Sequence, residues 1–368
     1  MAKTGLDDVL SAVDKINPDA QVLSKSPLSL VDSWIDTGNY ALNAIISGSC
    51  YGGIPEGRIT GLTGPSGCGK TLFINKIIGN FQRPDKSKWA LAFDSELAED
   101  PQSAASVGAI PDRIKHIPVN TVNECRNQLL AFLDKIIENN LQGSFMASID
   151  SLGNLAGTKE IADAEAGKDA TDMGTRAKNI KSMLRTITYR AARSKTTVLF
   201  SNHTYSDPTA MYPSLIQNQS GGEGPIYMAS VLLQLSFKRE KNEKDFEMEE
   251  ILSSAKKVGG ITIHVLTAKN RFIPPMLSTD VYLNFKTGLD RYSGLFELAK
   301  GLNVIQGDKT YTMIDQHGAE IKLGYRKNFE RDPDMWENTI LPVLEPIIQR
   351  EFRFSSEVEQ IDREIEDL

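Results

Sequence analysis

One string in this chain of 368 residues has the residue types and spacing to do chemistry: Gly64-Pro65-Ser66-Gly67-Cys68-Gly69-Lys70-Thr71, a G-x-x-x-x-G-K-[ST] pattern. Glycines at those positions let the backbone turn tightly. Its N–H groups and the positive end of a following helix then converge on an anionic phosphate. Lys70 adds a charge, and the Thr71 hydroxyl is the kind of oxygen that a magnesium ion carried by phosphates takes from a protein. The pattern has this meaning only between a strand and a helix. It follows the strand-like run 59–63 and opens the apolar, helix-compatible run 72–78, so the requirement is met. Residues Gly64 to Thr71 are therefore expected to hold a nucleoside triphosphate. Cys68 sits at a variable position of the loop and is expected to pack rather than react.

A phosphate site of this kind needs an acid at the end of a later buried strand to organise magnesium, and Phe145-Met146-Ala147-Ser148-Ile149-Asp150 supplies Asp150. Hydrolysis also needs a group that orients and deprotonates water. Glu96, in Phe93-Asp94-Ser95-Glu96, stands just past the run 89–93, at the carboxyl end of a strand where ligands of parallel sheets gather. Asn202 and His203 follow the run 198–201 and reach the same edge.

Placing these groups together requires a scaffold, and the pattern between residues 58 and 285 predicts one. Short β-rich runs at 59–63, 89–93, 145–149, 198–201, 231–237 and 261–268 alternate with amphipathic stretches. Such alternation implies an α/β core with a mostly parallel, helix-covered sheet. Residues 1–45 are weakly periodic, with breakers at Asn17-Pro18 and Ser26-Pro27, and are expected to form an appendage. Residues 238–250, nearly all charged, are expected to be a solvated connector between two strands. Beyond Asp290 the pattern becomes shorter and irregular, a separate cap that ends in an acidic tail over 357–368.

Composition excludes several classes. Hydrophobic residues are 40% and charged residues 24%, ordinary for a chain that folds. No apolar run approaches a membrane span, and residues 1–10 lack the plan of a secretory signal. Three cysteines without metal-ligand spacing fit a reducing cytoplasm. A net charge of −7 argues against a simple basic nucleic-acid coat, so any DNA contact must come from local patches.

Taken in order, Gly52-Gly53-Ile54-Pro55-Glu56-Gly57-Arg58-Ile59, the phosphate loop, the Asp94-x-Glu96 segment and Asp150-Ser151 closely resemble the RecA family. Asp150 to Leu155 and Ser201-Asn202-His203-Thr204-Tyr205 look like its phage recombinase branch, the UvsX type. The resemblance spans roughly residues 37–300. It implies an ATPase that uses ATP and magnesium, forms helical filaments on single-stranded DNA and pairs that strand with homologous duplex DNA. It further implies a polymerisation role for residues 1–45, an ATPase core over 46–288 and a C-terminal region over 289–368. His203 falls on the family's γ-phosphate sensor, and Asp100 on its adenine-side acid. Lys269-Asn270-Arg271 falls where relatives lend cations, here Lys269 and Arg271, to a neighbouring subunit's ATP. Ser103 departs from the family, which often has an adenine-stacking aromatic there.

The family's two DNA loops correspond to about 156–174 and 204–222. The first leads into a helix with Arg176, Lys178, Lys181 and Arg185, the last three at helical spacing on one face, a stripe able to track a phosphate backbone. The second carries Met211 and Tyr212, which could wedge between bases, and ends in Gly221-Gly222, which let backbone approach the strand. A single-strand-binding protein, a loader or mediator, and the host cytoplasm of a phage-encoded protein complete the expectation. Two other readings stay open: a RecA-fold hexameric helicase-like ATPase, and a nucleotide-switched filament or mediator protein with little hydrolysis. Length and the Gly52–Ile59 segment disfavour the first, and Glu96, Lys269 and Arg271 the second.

Overall fold

The computed structural model describes residues 5–168, 174–205, 215–237, 260–284 and 287–354. Met211, Tyr212, the charged run 238–250 and the acidic stretch 357–368 lie outside the described residues. Contacts divide the chain into a small unit that ends at Ser33 and a large one that begins at Trp34. The small unit holds α1 (Gly5–Ile16), none of whose residues is buried. Leu6, Val9, Leu10, Val13 and Ile16 recur at three- and four-residue spacing and are all exposed, so α1 carries an apolar stripe.

The large unit opens with β1 (Trp34–Ile35), α2 (Tyr40–Ser47) and β2 (Ile54–Pro55), the two strands pairing antiparallel. Asn39 caps α2 by accepting the N–H of Leu42 at 2.7 Å, and every residue of α2 is buried. Buried on all sides, with Asn43 and Ser47 hydrogen-bonded, α2 is a core helix rather than a surface one. The contact division therefore falls before Trp34 rather than at residue 45.

The central layer follows as β3 (Ile59–Gly64), α3 (Lys70–Gln82), β4 (Trp89–Asp94), α4 (Pro101–Ser106), β5 (Ile114–Pro118), α5 (Val122–Glu138) and β6 (Phe145–Asp150). It continues with α6 (Thr158–Glu165), α7 (Thr175–Ser194), β7 (Thr197–Tyr205), β8 (Asn218–Gln219), α8 (Gly224–Met228), β9 (Val231–Phe237), β10 (Gly260–Asn270), β11 (Ser278–Asn284) and β12 (Gly288–Leu289). Among the described residues the strands lie in the order β12-β11-β10-β9-β3-β7-β6-β4-β5, with β8 on the end of β7. From β9 to β5 the neighbours are parallel; β10, β11 and β12 join antiparallel. The sheet is thus mostly parallel, as the alternation of runs predicts, with an antiparallel extension on one side.

Both faces are covered. Phe73, Ile74, Ile77 and Ile78 of α3 pack with Ile263, Val265 and Val281 on one face. On the other, Leu129 and Leu133 of α5 and Ile180, Met183, Leu184 and Ile187 of α7 pack with Phe93, Phe200 and Leu232. Residues from 289 on are more regular than expected: α9 (Leu295–Gly301), a hairpin of β13 (Thr310–Ile314) and β14 (Glu320–Tyr325), and α10 (Leu341–Phe352). They close around Trp336, Phe296, Phe329 and Leu344, a core shared with Tyr40, Ala41 and Ala44 of α2.

Candidate nucleotide site

The phosphate loop leaves the sheet at Gly64, paired in register with His203 of β7, and re-enters regular structure at Lys70, the first residue of α3. Gly69 has φ +81°, and a Cβ there would stand 2.6 Å from Leu283 Cδ2. A left-handed turn pressed against β11 leaves glycine as the residue that fits. The Lys70 ammonium curls back and donates to the carbonyls of Gly64 at 3.1 Å and Pro65 at 2.9 Å. Lys70 is thus held over the loop it belongs to, with loop carbonyls as its acceptors. Cys68 is fully buried beside it, and burial pushes its thiol up despite the Lys70 charge, so its side chain serves packing.

Thr71 Oγ1 donates to Asp150 Oδ2 at 2.6 Å, and Ser201 Oγ donates to Asp150 Oδ1. The peptide bond from Asp150 to Ser151 is cis. One hydroxyl and one carboxylate, side by side, fit the protein's share of a magnesium shell, the rest being water and phosphate. No group of three or more His, Cys, Asp or Glu that could hold a metal occurs among the described residues. Magnesium that travels with phosphates needs none.

Glu96 and His203 come together from separate strands, His203 Nε2 standing 3.4 Å from Glu96 Oε1. Asp94, at the end of β4, shapes the turn that carries Glu96: its carboxylate accepts the N–H groups of Glu96 at 2.9 Å, Leu97 at 2.7 Å and Glu99 at 3.1 Å, and meets His116 Nε2 at 3.1 Å. Leu97 is held at φ +54°. Burial alone would raise the Asp94 carboxyl, but the Glu99 N–H, His116 and the other donors outweigh it and keep it low. Burial raises Glu99, with Asp150 and Asp94 adding to the effect and a hydrogen bond from Asn75 opposing it. Asp100 caps α4 by accepting the Ser103 N–H at 2.6 Å.

Lys269 and Arg271 are not at this edge. Lys269 pairs in register with Leu232 and Asn270 with Val231, and Val231 is level with Thr60 near the start of β3. From Thr60 to Gly64 is four residues of strand, about 13 Å, so the two cations lie at the opposite edge from the phosphate loop. A bulge between Thr267 and Lys269 interrupts the pairing with β9; such irregularities re-aim side chains. Lys269 Nζ donates to the carbonyls of Ile226 at 2.8 Å and Tyr227 at 2.7 Å, and Arg271 donates to Tyr227 at 3.1 Å. Burial, then the neighbouring Arg271 charge, brings the Lys269 ammonium down to about 8.

On α7, Lys178, Lys181 and Arg185 are exposed on one side while Ile180, Met183, Leu184 and Ile187 are buried on the other. Arg176 differs: half-buried, it donates to Gly153 O and to Ser220 Oγ. Gly221 and Gly222 follow Ser220 with φ +83° and +72°, a turn against α7. Ser220, which accepts Arg176, and Tyr227, whose carbonyl accepts both Lys269 and Arg271, were not singled out from the sequence, where neither carries a signal of its own.

Comparison with known proteins fits this geometry. The family described as the RecA N-terminal domain matches residues 6–290. A recombination and repair protein of Enterobacteria phage T4 is 29% identical over 264 residues, 72% of this chain and 62% of that protein. Protein RecA of Bifidobacterium breve is 25% identical over 327 residues, 88% of this chain and 76% of that one. Protein RecA of Legionella pneumophila (strain Corby) is 28% identical over 272 residues, with coverages of 74% and 71%. The match to the phage protein thus spans less than two thirds of its length. Matched by that family model over residues 6–290, most of its length, the chain belongs to the RecA family.

Proposed function

We propose that this chain is an ATP-hydrolysing recombinase that polymerises on single-stranded DNA and pairs that strand with homologous duplex. The observation that carries the reading is the division of the ionic groups between two edges of one sheet. Gly64–Thr71, Glu96, Asp150 and His203 occupy the carboxyl edge, and Lys269 and Arg271 the other. Cations that cannot reach their own phosphate loop can reach one on a neighbour, which requires a head-to-tail interface; such interfaces build rings or helices. The exposed apolar stripe of α1 supports the same assembly, since a surface of that kind calls for a partner.

Each residue then has a task. Lys70 exchanges the Gly64 and Pro65 carbonyls for phosphate oxygens. Thr71 and Asp150 hold magnesium, which when bound neutralises phosphate charge. Glu96 orients water and takes its proton, and His203 reports the state of the phosphate end to the second loop. Lys269 and Arg271 of the next subunit offset the charge that develops on phosphoryl transfer. Asp100 lies on the adenine side. The exposed Lys178, Lys181 and Arg185, with Met211, Tyr212 and the Gly221-Gly222 turn, contact the strand, and base pairing supplies homology recognition. A single-strand-binding protein and a loader would compete for and deliver the same DNA, in the cytoplasm of the host.

DNA-stimulated ATPase measured beside electron microscopy tests the reading. Helical filaments that need both ATP and single-stranded DNA are expected. Rings would favour the helicase-like alternative, and assembly with no hydrolysis the nucleotide-switched mediator.

A further inference from the structure

Asp150 is fastened through both its main chain and its side chain. The main chain is fixed from β4, where the Ser95 N–H donates to the Asp150 carbonyl at 2.8 Å. The carboxylate is divided between two hydroxyls: Thr71, at the start of α3, reaches Oδ2 at 2.6 Å, and Ser201 of β7 reaches Oδ1. The Ser201 contact comes from within the sheet. Strands β6 and β7 run parallel with Ile149 level with Phe200, so Ser201 stands beside Asp150 one residue further along. Val198, Leu199, Phe200 and Ser201 are all fully buried. The Ser201 hydroxyl is thus a polar group sunk in an apolar layer, and its proton goes to the carboxylate. Thr71 is only half-buried. Oδ2 therefore faces the mouth of the phosphate loop, while Oδ1 faces the protein interior.

We propose that Ser201 is a positioning residue that sets the choice of divalent metal: by pinning Oδ1 it leaves Asp150 a single oxygen to offer, and the site then favours magnesium over calcium. The inference rests on the nucleotide-and-magnesium part of the reading above. Magnesium demands near-ideal octahedral geometry at about 2.0–2.1 Å, whereas calcium takes about six to eight oxygens at about 2.3–2.6 Å and readily accepts both oxygens of one carboxylate. A carboxylate pinned at one oxygen cannot turn both toward a metal, so it suits the smaller ion. Without the pin, Asp150 can turn about its Cβ–Cγ bond and present one oxygen or both. Groups that orient a ligand without touching the metal are worth about 10–100-fold in affinity. Ser201 acts in this way, on the metal through Asp150.

The test compares nucleotide binding in two metals, in the full chain, for the wild type, S201A, S201C and S201T. The dissociation constant of the fluorescent analogue mant-ATP is measured in excess magnesium, in excess calcium and in EDTA. The wild type is expected to bind more tightly in magnesium than in calcium. In S201A the constant in magnesium is expected to rise by about tenfold, while that in EDTA stays the same and that in calcium changes by less. The preference for magnesium therefore shrinks by most of that factor. S201T, which keeps the hydroxyl, retains the wild-type preference. S201C fills the space with a weak donor and carries the alanine expectation should S201A fail to fold. A calcium-to-magnesium ratio equal to that of the wild type in S201A, or in S201C in its place, overturns the pin alone, even if both constants rise. So does a wild type that binds nucleotide equally well in the two metals. A wild type that binds as well in EDTA as in magnesium overturns the magnesium assignment, and the pin with it.

Discussion

Lys269 gives the sharpest pH test of the two-edged site. With its ammonium brought down to about 8 from an ordinary 10.5, the free subunit carries a charged Lys269 at pH 7, a half-charged one at 8 and a mostly neutral one at 9. Docking against a neighbour's phosphates favours the charged form and raises its affinity for protons. Above pH 8, then, each docking event must take up one proton, and the apparent affinity between subunits falls toward tenfold per pH unit. The measurement is DNA-stimulated ATPase from pH 7 to 9.5 at limiting protein concentration, for the wild type and K269R. Arginine stays charged throughout, so K269R should lose the alkaline decline whatever its absolute rate. Parallel declines in the two proteins would refute the assignment. Stability moves the other way. Between about 8 and 10.5 the unfolded chain binds the Lys269 proton that the folded chain has released, so this residue's contribution to folding stability grows as pH rises through that window.

Replacing Glu96 with Gln should lower turnover by about 10²–10⁴-fold, the usual worth of a positioned base, with nucleotide binding by fluorescent-analogue titration nearly unchanged; undiminished turnover would remove the base. Changing Thr71 to Ala should weaken magnesium-dependent nucleotide binding more than binding without the metal, read by the same titration in magnesium and in chelator. Gly79, in the middle of α3, should resist the substitution that helix propensity favours. Alanine gains about 1 kcal/mol in an unconstrained helix, yet its Cβ would stand 2.4 Å from the carbonyl oxygen of Gly108. Urea denaturation of G79A should show a net loss of about 1–3 kcal/mol, and a gain would contradict the packing.

The phosphate loop, the six expected strands and the parallel sheet were legible because each rests on short-range pattern: β-branched runs, a glycine string and a helix that follows it. β5 was not, since Ile-Lys-His-Ile-Pro is half polar and lies at the sheet edge, where only one neighbour pairs. The direction of β10 could not be read either. Whether a strand runs parallel or antiparallel depends on its partner, and that direction is what carries Lys269 to the far edge. Most of α2 was placed with the N-terminal appendage because eight residues give little periodicity, although Leu42, Ile45 and Ile46 pack into one core and Tyr40, Ala41 and Ala44 into another. Arg176 was grouped with the basic residues of the helix after the first loop, though outside the stripe of Lys178, Lys181 and Arg185; its turn inward depends on Gly153 and Ser220, far away in sequence.

The division of charge between the two sheet edges also has an arithmetic consequence. In a row of n subunits joined head to tail there are n − 1 junctions, so one terminal phosphate loop never receives cations from a neighbour, while the subunit at the other end offers Lys269 and Arg271 to solvent. The ends of such a row are chemically different objects. Turnover per subunit should climb with length, from half its limiting value in a pair toward a plateau in long assemblies. Nucleotide at the one incomplete terminus would be spared hydrolysis, so the two ends of such a row would carry different nucleotide states.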